Sequence, residues 1–204
     1  MKKCMVALLV FGVVCLGQGF EGPVLTQVIY QATAYTLPAG VWELKGLSSL
    51  LPLGLPWVSI SYGLTKSLEV GTGLTAHLMG LANLGAKIAL GETDTVALAF
   101  LTDIAFSVSD GRLYFGSGVA LSSVMKSLGV HAGTYMQVLP EFSISSYAGA
   151  DYGFMPNTKL LAEVNFLPFR ARFGLLLRAL NSLDLRGWAS FFPFSFGASL
   201  SLRF

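Results

Sequence analysis

Phe194-Ser195-Phe196-Gly197-Ala198-Ser199-Leu200-Ser201-Leu202-Arg203-Phe204 alternates without a break. Phe194, Phe196, Ala198, Leu200, Leu202 and Phe204 fall on one face. Ser195, Gly197, Ser199, Ser201 and Arg203 fall on the other. A period of two puts successive side chains on opposite sides of a β-strand. A stretch of this length is about what a tilted strand needs to cross a bilayer. The competing reading is an amphipathic edge strand of a soluble protein.

The same alternation recurs upstream. It predicts strands near residues 41–47, 57–62, 67–77, 82–90, 95–108, 113–123, 130–138, 147–153, 159–167, 170–180 and 184–191, with 194–204 closing the set. Residues 139–146 are the least regular stretch. Gly91-Glu92-Thr93-Asp94 and Ser109-Asp110-Gly111-Arg112 have the composition of hairpin turns. The expected fold is all-β: a transmembrane, antiparallel, up-and-down β-barrel of about twelve strands. Ten remain if 41–47 and 147–153 fail. An even number brings both termini to one side. A loose internal echo agrees with that parity. Tyr62 to Val70 is repeated by Tyr152-Gly153-Phe154 with Leu161 to Val164, and again by Phe173-Gly174 with Ser182 to Leu185.

The other end of the chain points to export. Lys2 and Lys3 precede an apolar run from Met5 to Leu16, and Gly17 and Gly19 are small enough for a signal peptidase. Residues 1–19 read as a signal peptide. Cys15 raises a lipoprotein signal, which Gly12-Val13-Val14 fits poorly. Cys4 and Cys15 are the only cysteines. A chain without residues 1–19 therefore has no disulfide and no cysteine metal site. Residues 20–36 form a mixed segment that reads equally as a plug, a periplasmic arm or an extra strand. Residues 37–204 are the expected barrel.

Composition narrows the class. Without Lys2 and Lys3 the chain carries 11 bases against 11 acids, so no global charge favours nucleic acid. Charged residues make up only 12% and apolar ones 53%. A soluble domain averages nearer 25% charged. A helical membrane protein is the alternative, but the charge-free run Gly46 to Thr65 holds Pro52, Pro56, Gly54 and Gly63. Alternation alone does not tell a soluble barrel from a membrane one. The second face does: it is mostly Gly, Ser, Ala and Thr with isolated charges, and a water-facing surface would carry far more Lys and Glu.

The aromatic-ended closing stretch resembles the last strand of bacterial outer-membrane β-barrels. The resemblance implies that outer membrane as location, its lipid as surroundings, and recognition of Phe194–Phe204 by the barrel-assembly machinery. Leu37-Pro38-Ala39-Gly40-Val41-Trp42-Glu43-Leu44, followed by Tyr62 to Val70, also resembles outer-membrane transporters of the phenol-degradation MetA-pathway type. Those motifs cover about a fifth of the chain, and members of that family are usually longer.

In such a barrel the polar face lines the lumen. The pore-lining candidates are Glu69, Lys87, Asp103, Glu163, Arg170, Arg172, Arg178, Asp184 and Arg186, with Glu43, Lys45 and Arg203 beside them. Arginines gather in the last three strands, and acids set opposite would create a field across a pore that favours anions. The bland reading is mutual pairing that closes the lumen. An enzyme would need a base beside a nucleophile. Only His77 and His131 are available, both expected on the inner face, and there is no Gly-x-Ser-x-Gly. No catalytic residue, metal site or cofactor is expected. Trp42, Trp57, Tyr62, Tyr152, Phe191 and Phe194 lie near strand ends, where interface girdles form. The expected function is a passive channel or transporter for small polar or anionic solutes. The alternatives are a closed structural or binding barrel and, behind it, a barrel enzyme.

Overall fold

The computed structural model describes residues 27–28, 31–51 and 57–204. The expected signal at 1–19 lies outside the described residues, as does the rest of 20–26. Twelve strands follow in order: β1 (Trp42–Leu51), β2 (Trp57–Thr65), β3 (Leu68–Gly73), β4 (Leu81–Glu92), β5 (Val96–Ser107), β6 (Leu113–Met125), β7 (Leu128–Leu139), β8 (Ser143–Met155), β9 (Thr158–Phe166), β10 (Phe169–Leu180), β11 (Leu183–Phe191) and β12 (Ser195–Arg203). Each pairs with its sequence neighbour, and β1 pairs antiparallel with β12, so the sheet closes on itself. Glu43 stands opposite Arg203, and Trp42 and Phe204 exchange two backbone hydrogen bonds of 2.8 and 3.0 Å across the seam. A closed ring leaves no strand edge, which is the condition for a sheet to sit in hydrocarbon.

The expected inside–outside alternation holds along the wall. Leu84, Leu98, Ile104, Leu121, Phe173 and Leu200 are exposed on the outer surface, while Ala97, Ala99, Ala120, Glu163, Leu176 and Arg186 are buried inside. An exterior this apolar is a lipid-facing surface.

Strand count rested on the two weakest stretches, and both form strands. The irregular region near 139–146 divides between β7, which runs to Leu139, and β8, which begins at Ser143. Side-chain alternation fades there through Ser143, Ser145 and Ser146, while backbone pairing continues, with Gln137 opposite Ser143.

The expected strand over 67–77 is a correction. β3 stops at Gly73, and a one-turn helix, α1 (Leu74–Leu78), takes over. The Asn83 side chain replaces the missing strand contact. Its Oδ1 accepts from the Gly73 amide at 2.7 Å, and its Nδ2 donates to the Gly73 carbonyl at 3.2 Å. The Val58 amide, on the other flank, donates to Thr75 Oγ1 at 2.8 Å. His77 is therefore exposed at this rim, 2.7 Å from Thr72 Oγ1, and does not stand on the inner face.

The two ends differ. The end holding Trp42 and Phe204 is joined by turns of two or three residues, at 66–67, 93–95, 126–127, 156–157 and 181–182. All three copies of the internal echo fall at this end. At the opposite end the described connections run from two residues at 167–168 to seven at 74–80, and much of that end is apolar. Phe142, Leu167, Phe192 and Phe194 are exposed in its connections. Phe191 and Phe194 sit 5.9 Å apart, and Phe194 and Phe196 4.8 Å. Trp42 and Tyr62 meet at 4.4 Å at the first end. Trp57 is not part of either girdle, because it lines the lumen.

Candidate functional site in the lumen

The inner wall is built from small residues and flat aromatic rings. Tyr135 lies over Gly116, Tyr147 over Gly133, and Trp188 over Gly197. A Cβ at any of these glycines would collide with the ring beside it. The small residues of the second face thus make room for rings that lie along the wall.

The charges pair along the same wall, mostly between directly opposed strand positions. Arg172 and Glu163 face each other across β10 and β9 and meet at 2.5 Å. Arg178 holds Asp184 through Nε and Nη2, at 2.8 and 3.2 Å. Arg203 joins Glu43 at 3.0 Å and Asp184 at 3.3 Å. Lys45 reaches Glu43 at 2.8 Å, and Lys87 reaches Glu69 at 3.4 Å. Asp103 accepts from the Tyr135 hydroxyl. The arginines do not face acids across the lumen, so the expected transverse field is replaced by local pairs. Breaking one buried pair strands a charge, at a cost of about 3–5 kcal/mol.

All nine candidate residues lie on inward positions, but they do different things. Glu69, Lys87 and Glu163 bind a length of chain inside the barrel. The Leu37 amide donates to Glu69 Oε2 at 3.0 Å, Lys87 Nζ donates to the Tyr35 carbonyl at 2.8 Å, and the Gln31 amide donates to Glu163 Oε2 at 2.9 Å. Arg172 backs Glu163. Arg178 and Asp184 pair with each other. Arg170 and Asp103 are half-buried. Arg186 is buried, and its only hydrogen bond among the described residues runs from Nη1 to Ser201 Oγ at 3.2 Å.

The internal segment, residues 27–28 and 31–37, follows the wall around the lumen. Beyond the bonds above, the Tyr147 hydroxyl donates to the Ala32 carbonyl at 2.7 Å, and the Ala34 amide donates to Ser122 Oγ at 2.8 Å. Val28 is fully buried against Leu161, Leu176 and Trp188. Ala34 and Tyr35 pack on Ala97, Ala99 and Ala120. The segment joins β1 at a tight corner. The Gly40 amide donates to the Gly63 carbonyl at 2.8 Å, and the Gly63 amide donates to the Val41 carbonyl at 2.9 Å. A Cβ on Gly63 would collide with the Pro38 carbonyl. The motifs Leu37–Leu44 and Tyr62–Val70 are thus one structural unit that anchors the segment.

Sequence reading missed a second cluster. His131 Nδ1 lies 2.8 Å from Ser122 Oγ, and its Nε2 lies 2.7 Å from Asp151 Oδ2. Lys159 pairs with the other Asp151 oxygen at 2.5 Å. Ser122 is opposite His131 across β6 and β7. The inward His131 was legible from alternation; its partners come from other strands, at a register that only the closed sheet sets. All four residues are buried, and the Ala34 amide covers Ser122.

Two cavities flank the segment. One, of about 700 Å³, is lined by Gln31, Trp57, Lys87, Asp103, Tyr135 and Tyr147 among others. The second, of about 410 Å³, is lined by Gln27, Lys45, Leu47, Trp57, Arg186 and Ser199, with Ser59 and Ser201. Among the described residues there is no cluster of three metal-ligating side chains.

No protein-family model matches the chain. No curated protein sequence matches it either. Solved structures do. The barrel is similar to a KdgM porin in complex with disordered oligogalacturonate, with a TM-score of 0.56 and 6% identity over 80% of this chain and 98% of that one. A second KdgM porin structure matches with a TM-score of 0.54 and 7% identity over 79% and 98%. At such identities the likeness is one of fold. The chain is a closed twelve-stranded transmembrane β-barrel with the fold of the KdgM porin.

Proposed function

We propose that the chain is an outer-membrane channel for small polar or anionic solutes, narrowed by the segment at 27–37. One observation carries the reading: a closed barrel with a lipid-facing exterior holds charged side chains and two cavities on its inside. The KdgM porin fold supports it. The barrel would be exported with residues 1–19 as its signal and assembled in the bacterial outer membrane. Its closing stretch, Phe194–Phe204, would be recognised there by the barrel-assembly machinery. Lipid is its surroundings, solutes its only cargo, and nucleic acid has no part. The MetA-pathway transporter type is the finer reading. Contact between its two motifs at the Gly63 corner favours it.

Single-channel recording on refolded protein in a planar bilayer tests the proposal. The chain from residue 20 should give small discrete steps with anion preference, and deleting residues 20–36 should enlarge them. Arg172→Ala and Arg178→Ala should weaken the anion preference. Folded, heat-modifiable protein without steps in either form would move the function to a closed structural or binding barrel.

A second reading rests on Ser122, His131 and Asp151, which stand in the order of nucleophile, base and orienting acid. The reactive serine would be uncovered only when the segment leaves. Labelling of Ser122 by a fluorophosphonate in the deletion variant would support an enzyme. An unlabelled serine would leave the triad as a tether for the segment.

A further inference from the structure

The second cavity has a chemistry of its own. Arg186 is 4% exposed, and its Nη1 is fixed on Ser201. Its Nε and Nη2 are buried with no hydrogen-bond acceptor among the described residues. These two nitrogens share one edge of the guanidinium, the edge that presents parallel N–H donors to a carboxylate. Arg178 shows what such an edge takes in this barrel, because the same two atoms grip both oxygens of Asp184. Among the described residues no side chain does this for Arg186.

The surroundings favour an anion. Lys45, Ser199 and Ser201 line the same cavity, and Ser199 Oγ is a further buried polar atom with no partner among the described residues. On this stretch of wall Glu43 and Asp184 are the acids, against Lys45, Arg178, Arg186 and Arg203. Both acids are already held by arginines, and Glu43 by Lys45 as well. Among the described residues the charge left over is positive. A buried cationic fork calls for a counter-charge with two oxygens. Leu47 and Trp57 line another part of the cavity and offer an apolar surface for the remainder of a ligand. About 410 Å³ is within the usual range for a small-molecule site.

We infer that Arg186, with Lys45, Ser199 and Ser201, forms a binding site for the carboxylate of a small organic acid whose apolar body rests on Leu47 and Trp57. This deepens the channel proposal and rests on the lumen being open to solutes. It makes the cavity a selective station on the path.

Calorimetric titration of the full refolded chain in detergent, at constant ionic strength, tests the site without needing conductance. Benzoate should bind with one site per chain, and sulfate should bind more weakly. Arg186→Gln should abolish the binding. Arg186→Lys keeps the charge but loses the fork, and should weaken it by roughly tenfold or more. Should Arg186→Gln not fold, Arg186→Lys still decides. Unchanged affinity in Arg186→Lys would overturn the assignment. Equal affinity for sulfate and benzoate would overturn the carboxylate and its apolar seat. Benzoate binding in a barrel that does not conduct would leave the site standing and remove the channel. Conduction without benzoate heat would do the reverse.

Discussion

Glu163 shows how much one lumen residue does. One carboxylate oxygen neutralises Arg172, and the other receives the Gln31 amide of the internal segment. Substituting Glu163→Ala should therefore lower stability, by up to about 3–5 kcal/mol, because Arg172 loses its buried carboxylate partner. The check is urea unfolding of the refolded protein. Replacing both partners, Glu163→Leu with Arg172→Leu, should recover much of that loss, since an apolar pair strands no charge. If the double variant is no more stable than the single one, the loss comes from the released segment and not from the broken ion pair. At this scale the sequence was a good guide to direction and a poor guide to partners. The alternation put Glu163 and Arg172 on one face. It said nothing about Gln31, because nothing in a local pattern tells which wall residue a distant segment will touch. Asp151 and Lys159 escaped notice for a related reason. Each is an isolated charge in its stretch, and only the register of β7, β8 and β9 brings Asp151 to His131 and Lys159 to Asp151.

Among the elements, β3 and α1 are where period-two reading failed. Leu74, Thr75, His77 and Leu78 continue an alternation that the backbone abandons at Gly73. The reason lies on β4, where one asparagine side chain satisfies the groups that a continued strand would have paired. Asn83→Leu should leave the Gly73 amide and carbonyl unpaired and cost about 1–3 kcal/mol for each. Thermal unfolding would report it, and a melting temperature equal to the parent's would show that α1 holds without this clamp. The remaining strands were legible because lipid on one side and a crowded lumen on the other leave little freedom in which side chains face where. The same constraint makes the outer face testable. Leu98 stands outside on β5, and Leu98→Arg should cost about 2–4 kcal/mol if it lies near the bilayer midplane, enough to block assembly. Recovery of heat-modifiable Leu98→Arg protein from membranes in normal amount would contradict the assigned facing.

For the molecule as a whole, parity fixes which connections share an end. The turns at 66–67, 126–127, 156–157 and 181–182 lie with Trp42 and Phe204, and the turn at 108–112 lies opposite. Both cysteines of the chain precede residue 20, so a single engineered cysteine can be read without interference in protein lacking that stretch. Lys126→Cys should react with a membrane-impermeant maleimide only in broken cells, and Asp110→Cys in intact ones. The opposite pattern would invert the barrel in its membrane. The seam between β1 and β12 carries a further consequence. The internal segment continues directly into β1, so the piece of chain that fills the barrel is tied to one lip of the opening by which the barrel closes. While Trp42 and Phe204 are apart, the ring is a curled sheet with a gap, and the segment can be laid against its concave side from the flank. Once they join, the flank is gone and the mouth beside the Gly63 corner is the nearest way in. The order of these two events separates a barrel that is born filled from one that fills itself afterwards.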